Sequence, residues 1–450
     1  INANPNDPSV VPSSLLLGGT LRATANNMQS TFLAGESPLN WVQQLSKPQY
    51  NDGDLYKPRL GSIQGFWDSL YSSVIKDAQA LYILAAEEDN AKMQGVSLIV
   101  QAHAFQLLTD AFGYIPFTEV GVDGNFTPVY DSPAVVYAGI IEMLSQAQTL
   151  LNGAGEIDSS QDLIYSGDSA LWKKFAGSLQ FRAIMRASSA PGFTVGDQLQ
   201  NIINSGNYFT SNEEEGKLQF LGADPNANPY FERLTLGGPA RIQEWSMGEH
   251  LVQMMDGTDF GVFDNRLTVY ANPASDGEYR GLPAGLSSNP GNDFTDPISE
   301  MGSAILEADT FCYFISFSQL NFLMAEARER GLISSGSAAT YYANGINASF
   351  ESYGVSPGNY PVSYSGGANG LKQIAQQSYI SLYMQGYEAW AEQRRTGFPV
   401  LTPAPAGVIS QIPSRFSYPT DEQSDNFANI TAAIAEQGAD LLTTPIWWMN

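Results

Sequence analysis

A single cysteine, Cys312, is all that 450 residues offer, so no intrachain disulfide can form. It stands in the apolar run FCYFISF and reads as a small buried hydrophobe rather than a nucleophile. Charge is scarce as well, at 15% of residues against roughly 25% in ordinary soluble domains. Basic residues are the rarer sign: 21 Lys+Arg face 46 Asp+Glu, a net charge of −25 that would repel nucleic acid or an anionic membrane surface. There are only two histidines, His103 and His250, far apart and without an H-E-x-x-H, which argues against zinc. No G-x-S-x-G, Walker A or G-x-G-x-x-G occurs, so nucleophilic and nucleotide chemistry lack a motif. No apolar run approaches the roughly 18 residues of a membrane span. No signal peptide opens the chain either, and INANPNDP reads as the start of a mature or trimmed form.

What is abundant is neutral polarity and aromatic surface. Aromatics reach 12%, with 42 glycines and many amide and hydroxyl side chains. Such a surface suits carbohydrate, which presents neutral hydroxyls and apolar C–H faces, although it also suits an ordinary extracellular protein.

Helical spacing dominates two stretches. Trp67, Leu70, Tyr71, Val74, Ile75, Ala78, Leu81 and Ala85 recur every three or four residues. A second stripe, from Val96 to Leu108, stops at Gly113 and Pro116 in LLTDAFGYIPF. Residues 135–151 and 170–187 give two more helices, and 318–330, 337–353 and 371–395 resume the pattern. Between about 190 and 310 the texture becomes dense in Gly, Pro, Asn and Asp, with helix confined to short pieces such as 247–255. Loops of that length in a compact domain are usually functional or disordered. No strict 34-residue period is present, so periodicity alone does not establish tetratricopeptide repeats.

Asp224, Asn226 and Asn228 imitate the start of a calcium loop, but Pro229 replaces its glycine and Thr235 its bidentate glutamate. Residues 213–215, three glutamates, read as a solvated loop. Arg394 and Arg395, near a helix end, read as scaffold cations pairing with the helix dipole or with carboxylates such as Asp110 or Glu388. His103 reads as a packed or capping histidine.

Several segments in a shared order carry a family resemblance. They are NPNDP (4–8), WDSLY (67–71), LLTDAFGYIPF (107–117) and DLIYSGDSALWKKFAGSLQFRAIMR (162–186), then FSQLNFLMAEARERG (317–331), YEAWAEQRRTGFPVL (387–401) and IPSRFSYPTDE (412–422). Together they resemble the SusD-like (SusD/RagB) family of outer-membrane nutrient-binding lipoproteins. Gly177 departs from the Asn, and Gln319 from the Glu, that this family more often carries, and the lipidated cysteine near the mature N-terminus is missing.

The resemblance implies a mostly α fold of tetratricopeptide-like helix pairs with a loop-rich, ligand-side insertion. One domain would span 1–450, with a helical scaffold at about 14–190 and 312–396, an insertion at about 191–311 and a Pro-rich tail at 397–450. It implies no enzymatic activity and no cofactor. Its partners would be an oligosaccharide or polysaccharide, a SusC-like TonB-dependent transporter, and the outer membrane reached through an N-terminal lipid anchor on the extracellular face.

Two loops combine rings with amides and charge: 41–59, before the Trp67 helix, and 270–294, with DGEYRGLP at its centre. By position they match the family's ligand face. Trp41, Tyr50, Asn51, Tyr56, Tyr279 and Arg280 are the expected contacts, the rings as stacking platforms and the polar groups as hydroxyl partners, with packing the alternative for Trp41 and Tyr56. Peptide capture on the same scaffold, a helical glycoside hydrolase and a purely structural helical-repeat adaptor are the competing functions. A hydrolase would need two carboxylates about 5–9 Å apart, a condition that any acidic chain meets too easily to be informative.

Overall fold

The computed structural model describes residues 12–236, 244–287 and 295–449. The chain enters through α1 (Ser14–Met28) and, after a stretch of turns, α2 (Leu60–Ser69). A π-helical turn, Leu70–Ile75, carries α2 into α3 (Lys76–Glu87) without breaking the apolar stripe. Then come α4 (Ala91–Phe112), α5 (Pro133–Leu150) and α6 (Ser169–Ala187), each packed against the one before it. Local chemistry starts these helices. Asn90 caps α4 by accepting from the Met93 amide, Ser132 precedes a proline at the first position of α5, and Asp168 accepts from the Ala170 and Leu171 amides.

Gly113 ends α4 as its sequence promised. Its φ of 85° is closed to most side chains, its amide reaches Thr109 O at 2.8 Å, and any Cβ there would collide with the Gln437 amide. That same Gln437 side chain accepts from the Tyr114 amide and donates to Phe112 O, so the helix stop is also where α13, below, docks.

Among the described residues, the segment between Ala187 and Phe317 holds α7 (Gln198–Ser205), α8 (Glu249–Met255) and three short strands, and further short strands lie before it. Antiparallel pairs join β1 (Leu45–Ser46) to β5 (Ser246–Met247), β2 (Ile115–Pro116) to β3 (Tyr130–Asp131), and β4 (Gly216–Gln219) to β6 (Phe311–Ile315). In the last, Leu218 faces Cys312. Helices α9 (Phe317–Glu329), α10 (Ala338–Ser352), α11 (Gly367–Ser381), α12 (Gly386–Thr396) and α13 (Phe427–Gln437) complete the scaffold. A smaller apolar cluster around Phe322, Tyr342, Ile346 and Phe350 lies between α9, α10 and α11, beside the main core. The protein is mostly helical, as expected.

Two expectations need correction. Residues 371–395 are not one helix: Leu382 to Gln385 interrupt it, and Met384 adopts φ 64°. A four-residue break spans about one helical turn, so the apolar stripe stays in phase across it and the pattern hides it. The second concerns Glu213–Glu215: Glu215 is buried, accepts from the Phe317 amide and pairs with Lys217 at 3.0 Å.

Where α4, α6, α9 and α12 meet, the core is ionic. Arg186 is fully buried and bonds Asp110 at 2.6 Å, Glu392 at 3.1 Å and Glu388. Arg395 grips Glu326 and Glu392 at 2.5 and 2.7 Å. Arg394 donates to the backbone carbonyls of Asp110 and Ser414 and lies against the Trp390 ring. The two arginines do serve the scaffold, but it is Arg186, not they, that takes the Asp110 and Glu388 carboxylates. Trp448 from the tail donates to Asp110 Oδ1 at 2.9 Å, tying the chain's end into the network.

Candidate functional site

Residues 41–59 form a tightly held loop. Trp41 ends a short helical turn, and its indole N–H donates to Gly53 O at 3.2 Å. Its ring meets Trp390 edge-on at 5.0 Å and Phe416 at 5.2 Å. The Tyr56 ring is buried, and its hydroxyl accepts from the Ala404 amide at 2.8 Å. Neither ring keeps a face open to a ligand, so the platform role expected of them is corrected to packing, imposed by the distant Trp390, Phe416 and Ala404 that meet them. Asn51 is buried too, and its amide donates to Ser287 O, joining this loop to 270–287. The β1–β5 pair and a bridge between Gly248 and Leu282 place residues 246–248 between the same two segments, bonded to each.

Beneath the loop, Asp54 Oδ2 accepts from Ser46 Oγ at 2.7 Å and from the Lys47 amide at 2.9 Å. Burial pushes its carboxyl from the ordinary 3.8 up to about 7, against those hydrogen bonds. A carboxyl raised in the fold stabilises it fully below its unfolded value, and that stability is lost as pH climbs through the folded value. Wild-type stability should therefore fall between about pH 4 and pH 7. Asp54→Asn should flatten that slope and denature at higher urea than wild type at pH 8, with no advantage at pH 4. Equal pH dependence of the two urea midpoints would remove Asp54 as its source.

Tyr50 is different. It is 68% exposed, on a left-handed backbone of φ 53°. It lines an open groove of about 640 Å³ with Phe32, Glu36, Lys47, Gln49, Arg59, Arg233 and Glu244. Glu36 anchors the floor, buried, bonded to Lys47 Nζ at 2.5 Å and to the Arg59 guanidinium. Burial holds the Lys47 ammonium below its usual range, although Glu36 opposes this, and its Nζ sits 4.0 Å from the Trp245 ring centroid. Arg233 pairs with Glu244 at 2.9 Å. The Arg59 and Arg233 guanidinia both approach Phe32, at 5.2 and 4.8 Å from its centroid. The groove thus offers aromatic rings beside amide and guanidinium donors on a floor already charge-paired.

Sequence reasoning missed Phe32, Glu36, Arg233 and Glu244. They come from segments about 200 residues apart in the chain, and nothing local distinguishes them from solvated side chains. The Tyr279 ring is half-buried 5.8 Å from Phe263, and Arg280 is held by Asp276 at 3.0 Å and Pro297 O at 2.6 Å. Neither lines the groove with Tyr50. The end of their loop, 288–294, lies outside the described residues.

Reactive chemistry has little to work with. Burial pushes the Cys312 thiol up to about 12. His103 is driven well below the usual imidazole range by burial and by Arg182, whose guanidinium contacts Nδ1 at 3.1 Å. Asn228 is engaged in structure, accepting from the Tyr230 amide and donating to Thr310 Oγ1. Among the described residues no group of three His, Cys, Asp or Glu is placed to hold a metal ion. Among those residues, too, no helix is long and apolar enough to cross a membrane.

No curated protein matches the chain significantly by sequence. Solved structures match it over nearly its whole length. A chitin-binding protein shares 24% identity at TM-score 0.82, with 97% of this chain and 99% of that one covered. A chitin-binding SusD homolog from Flavobacterium johnsoniae shares 22% at 0.80, covering 96% and 98%. A SusD homolog from Bacteroides uniformis shares 22% at 0.83, covering 97% and 99%. At these identities the likeness shows the fold. The family described as "starch-binding associating with outer membrane" matches residues 5–419. With that match spanning nearly all of the sequence, the chain belongs to this SusD-like family of carbohydrate-binding, outer-membrane-associated proteins.

Proposed function

We propose that the protein binds oligosaccharide or polysaccharide nutrients at the cell surface, without transforming them, and passes them to a SusC-like TonB-dependent transporter. An N-terminal lipid anchor would hold it on the extracellular face of the outer membrane. The observation that carries the reading is Tyr50, a ring displayed by a left-handed residue at the edge of a groove supplied with hydrogen-bond donors.

A sugar's C–H face would stack on Tyr50, an aromatic contact typically contributing about 0.5–1.5 kcal/mol beyond its area. Gln49, Arg59 and Arg233 would donate to hydroxyls. Trp41, Asn51 and Tyr56 act one step removed, by fixing the loop that presents Tyr50. A longer glycan would continue toward the adjoining loop that bears Tyr279 and Arg280.

Tyr50→Ala should weaken binding tenfold or more, about 1.4 kcal/mol, with an unchanged melting temperature. Calorimetry against starch-derived and chitin-derived oligosaccharides and against peptides checks both site and ligand. Heat from peptides alone would discard the sugar reading, and an unchanged titration for Tyr50→Ala would discard the groove. Release of new reducing ends from a bound glycan would return the hydrolase.

A further inference from the structure

The apolar run FCYFISF has a second consequence. In β6 the side chains alternate: Cys312 and Phe314 are buried, while Phe311 and Tyr313 stand on the outer face, Phe311 being 41% exposed. An exposed phenylalanine beside a half-buried tyrosine on a two-stranded sheet leaves an apolar face that a ligand can cover. Both rings line a cavity of about 380 Å³, within the range of small-molecule sites. Lys217, tied to Glu215, lies 5.1 Å from the Phe311 centroid and fixes that ring by a cation–π contact.

The facing wall is the break between α11 and α12. Met384 there holds φ 64°, a conformation costly for a residue with a side chain, and Gln29 donates to its carbonyl at 3.2 Å. Strained backbone persists where its surroundings over-determine it, and such sites cluster at ligand clamps. Tyr353 adds a third ring, and the Gln29, Gln219 and Gln385 amides supply neutral polar groups. No Lys or Arg is among the lining residues, while Glu307 and Asp309 stand exposed at the rim. An anionic ligand is therefore disfavoured, the nearby Lys217 being already paired with Glu215, while the Gln385 amide and the rim carboxylates give a neutral ligand's hydroxyls hydrogen-bond partners.

We infer that this cavity is a second carbohydrate pocket, taking one or two units of a neutral sugar against Phe311, Tyr313 and Tyr353. It shares no lining residue with the groove at Tyr50, so the two stand or fall separately.

Titration calorimetry with maltotetraose and with N-acetylated chitotetraose tests it, using wild type, Tyr50→Ala, Phe311→Ala and Ala304→Trp. Ala304 is exposed at the cavity mouth, so its tryptophan variant obstructs entry without touching the core. The expected result is two equivalents of at least one probe on wild type. Phe311→Ala and Ala304→Trp should each weaken one of them tenfold or more, and Tyr50→Ala should weaken the other. If Phe311→Ala lowers the melting temperature, Ala304→Trp decides alone. Binding unchanged in the cavity variants but lost in Tyr50→Ala would overturn this pocket and leave the groove. One equivalent lost in the cavity variants but kept in Tyr50→Ala would support the pocket and sink the groove. Absence of heat from both probes would overturn the pocket.

Discussion

Arg186→Met is expected to cost about 3–5 kcal/mol, the usual penalty for removing one partner of a buried ion cluster. Arg186 is fully buried and touches three carboxylates, from Asp110, Glu388 and Glu392. Methionine fills similar volume, so the loss would come from charge rather than from a cavity. Arg182 and Arg395 remain near Glu388 and Glu392, but Asp110 keeps only neutral donors on its carboxylate, Tyr137 and Trp448. Burial already raises the Asp110 carboxyl, and without Arg186 it would be driven to bind a proton. The urea midpoint should fall sharply at pH 7 and by less at pH 4, where protonation relieves the orphaned acid. Adding Asp110→Asn should recover part of the loss. A midpoint within experimental error of wild type would show that the cluster contributes nothing net to stability.

Gly177→Asn places the side chain more often found in the family at a position where this chain has no room for one. A Cβ built on Gly177 would lie 1.7 Å from Asn207 O, and a backbone carbonyl cannot swing aside as a side-chain end can. Relief requires α6 to move from the irregular segment after α7, where the Phe209 amide is bonded to Ser178 Oγ at 3.0 Å. Overpacking of this kind costs about 1–3 kcal/mol and sometimes more, and the upper end is expected because the obstacle is main chain. Gly177→Ala should lose nearly as much, since the clash begins at Cβ. Melting temperatures equal to wild type for both variants would show that the 205–209 segment adapts freely. The other departure, Gln319, has its own fit: its amide donates to Glu388 Oε1 at 2.5 Å, where a glutamate would set two acids together.

Helix positions were readable because burial of one face imposes a 3.6-residue period that survives in the residue order. The stop at Gly113 was readable for a similarly local reason, a backbone angle that glycine tolerates. The break at Leu382 to Gln385 was hidden because it preserved that period. Cys312 and His103 were read as buried groups from their neighbours alone, and they are.

The candidate site was less legible. Trp41, Tyr56 and Tyr50 are all aromatic residues of one loop, yet the first two face the core and the third faces water. No local pattern separates them, because the difference lies in which ring meets Trp390, Phe416 or the Ala404 amide, all more than 300 residues away. Pairing of Arg233 with Glu244, and the approach of both Arg59 and Arg233 to Phe32, likewise required distant segments to meet.

By itself the sequence determined the helical class, the family scaffold and the scarcity of reactive groups. The helical class and the scarcity of reactive groups follow from period and composition, and the family from the shared order of its motif segments. Only the tertiary structure decided which rings stay outside, which cations remain near a groove, and that Phe311 and Tyr313 share a cavity with the strained Met384. Exposure depends on what a side chain packs against, and those partners are supplied by chain folding across hundreds of residues.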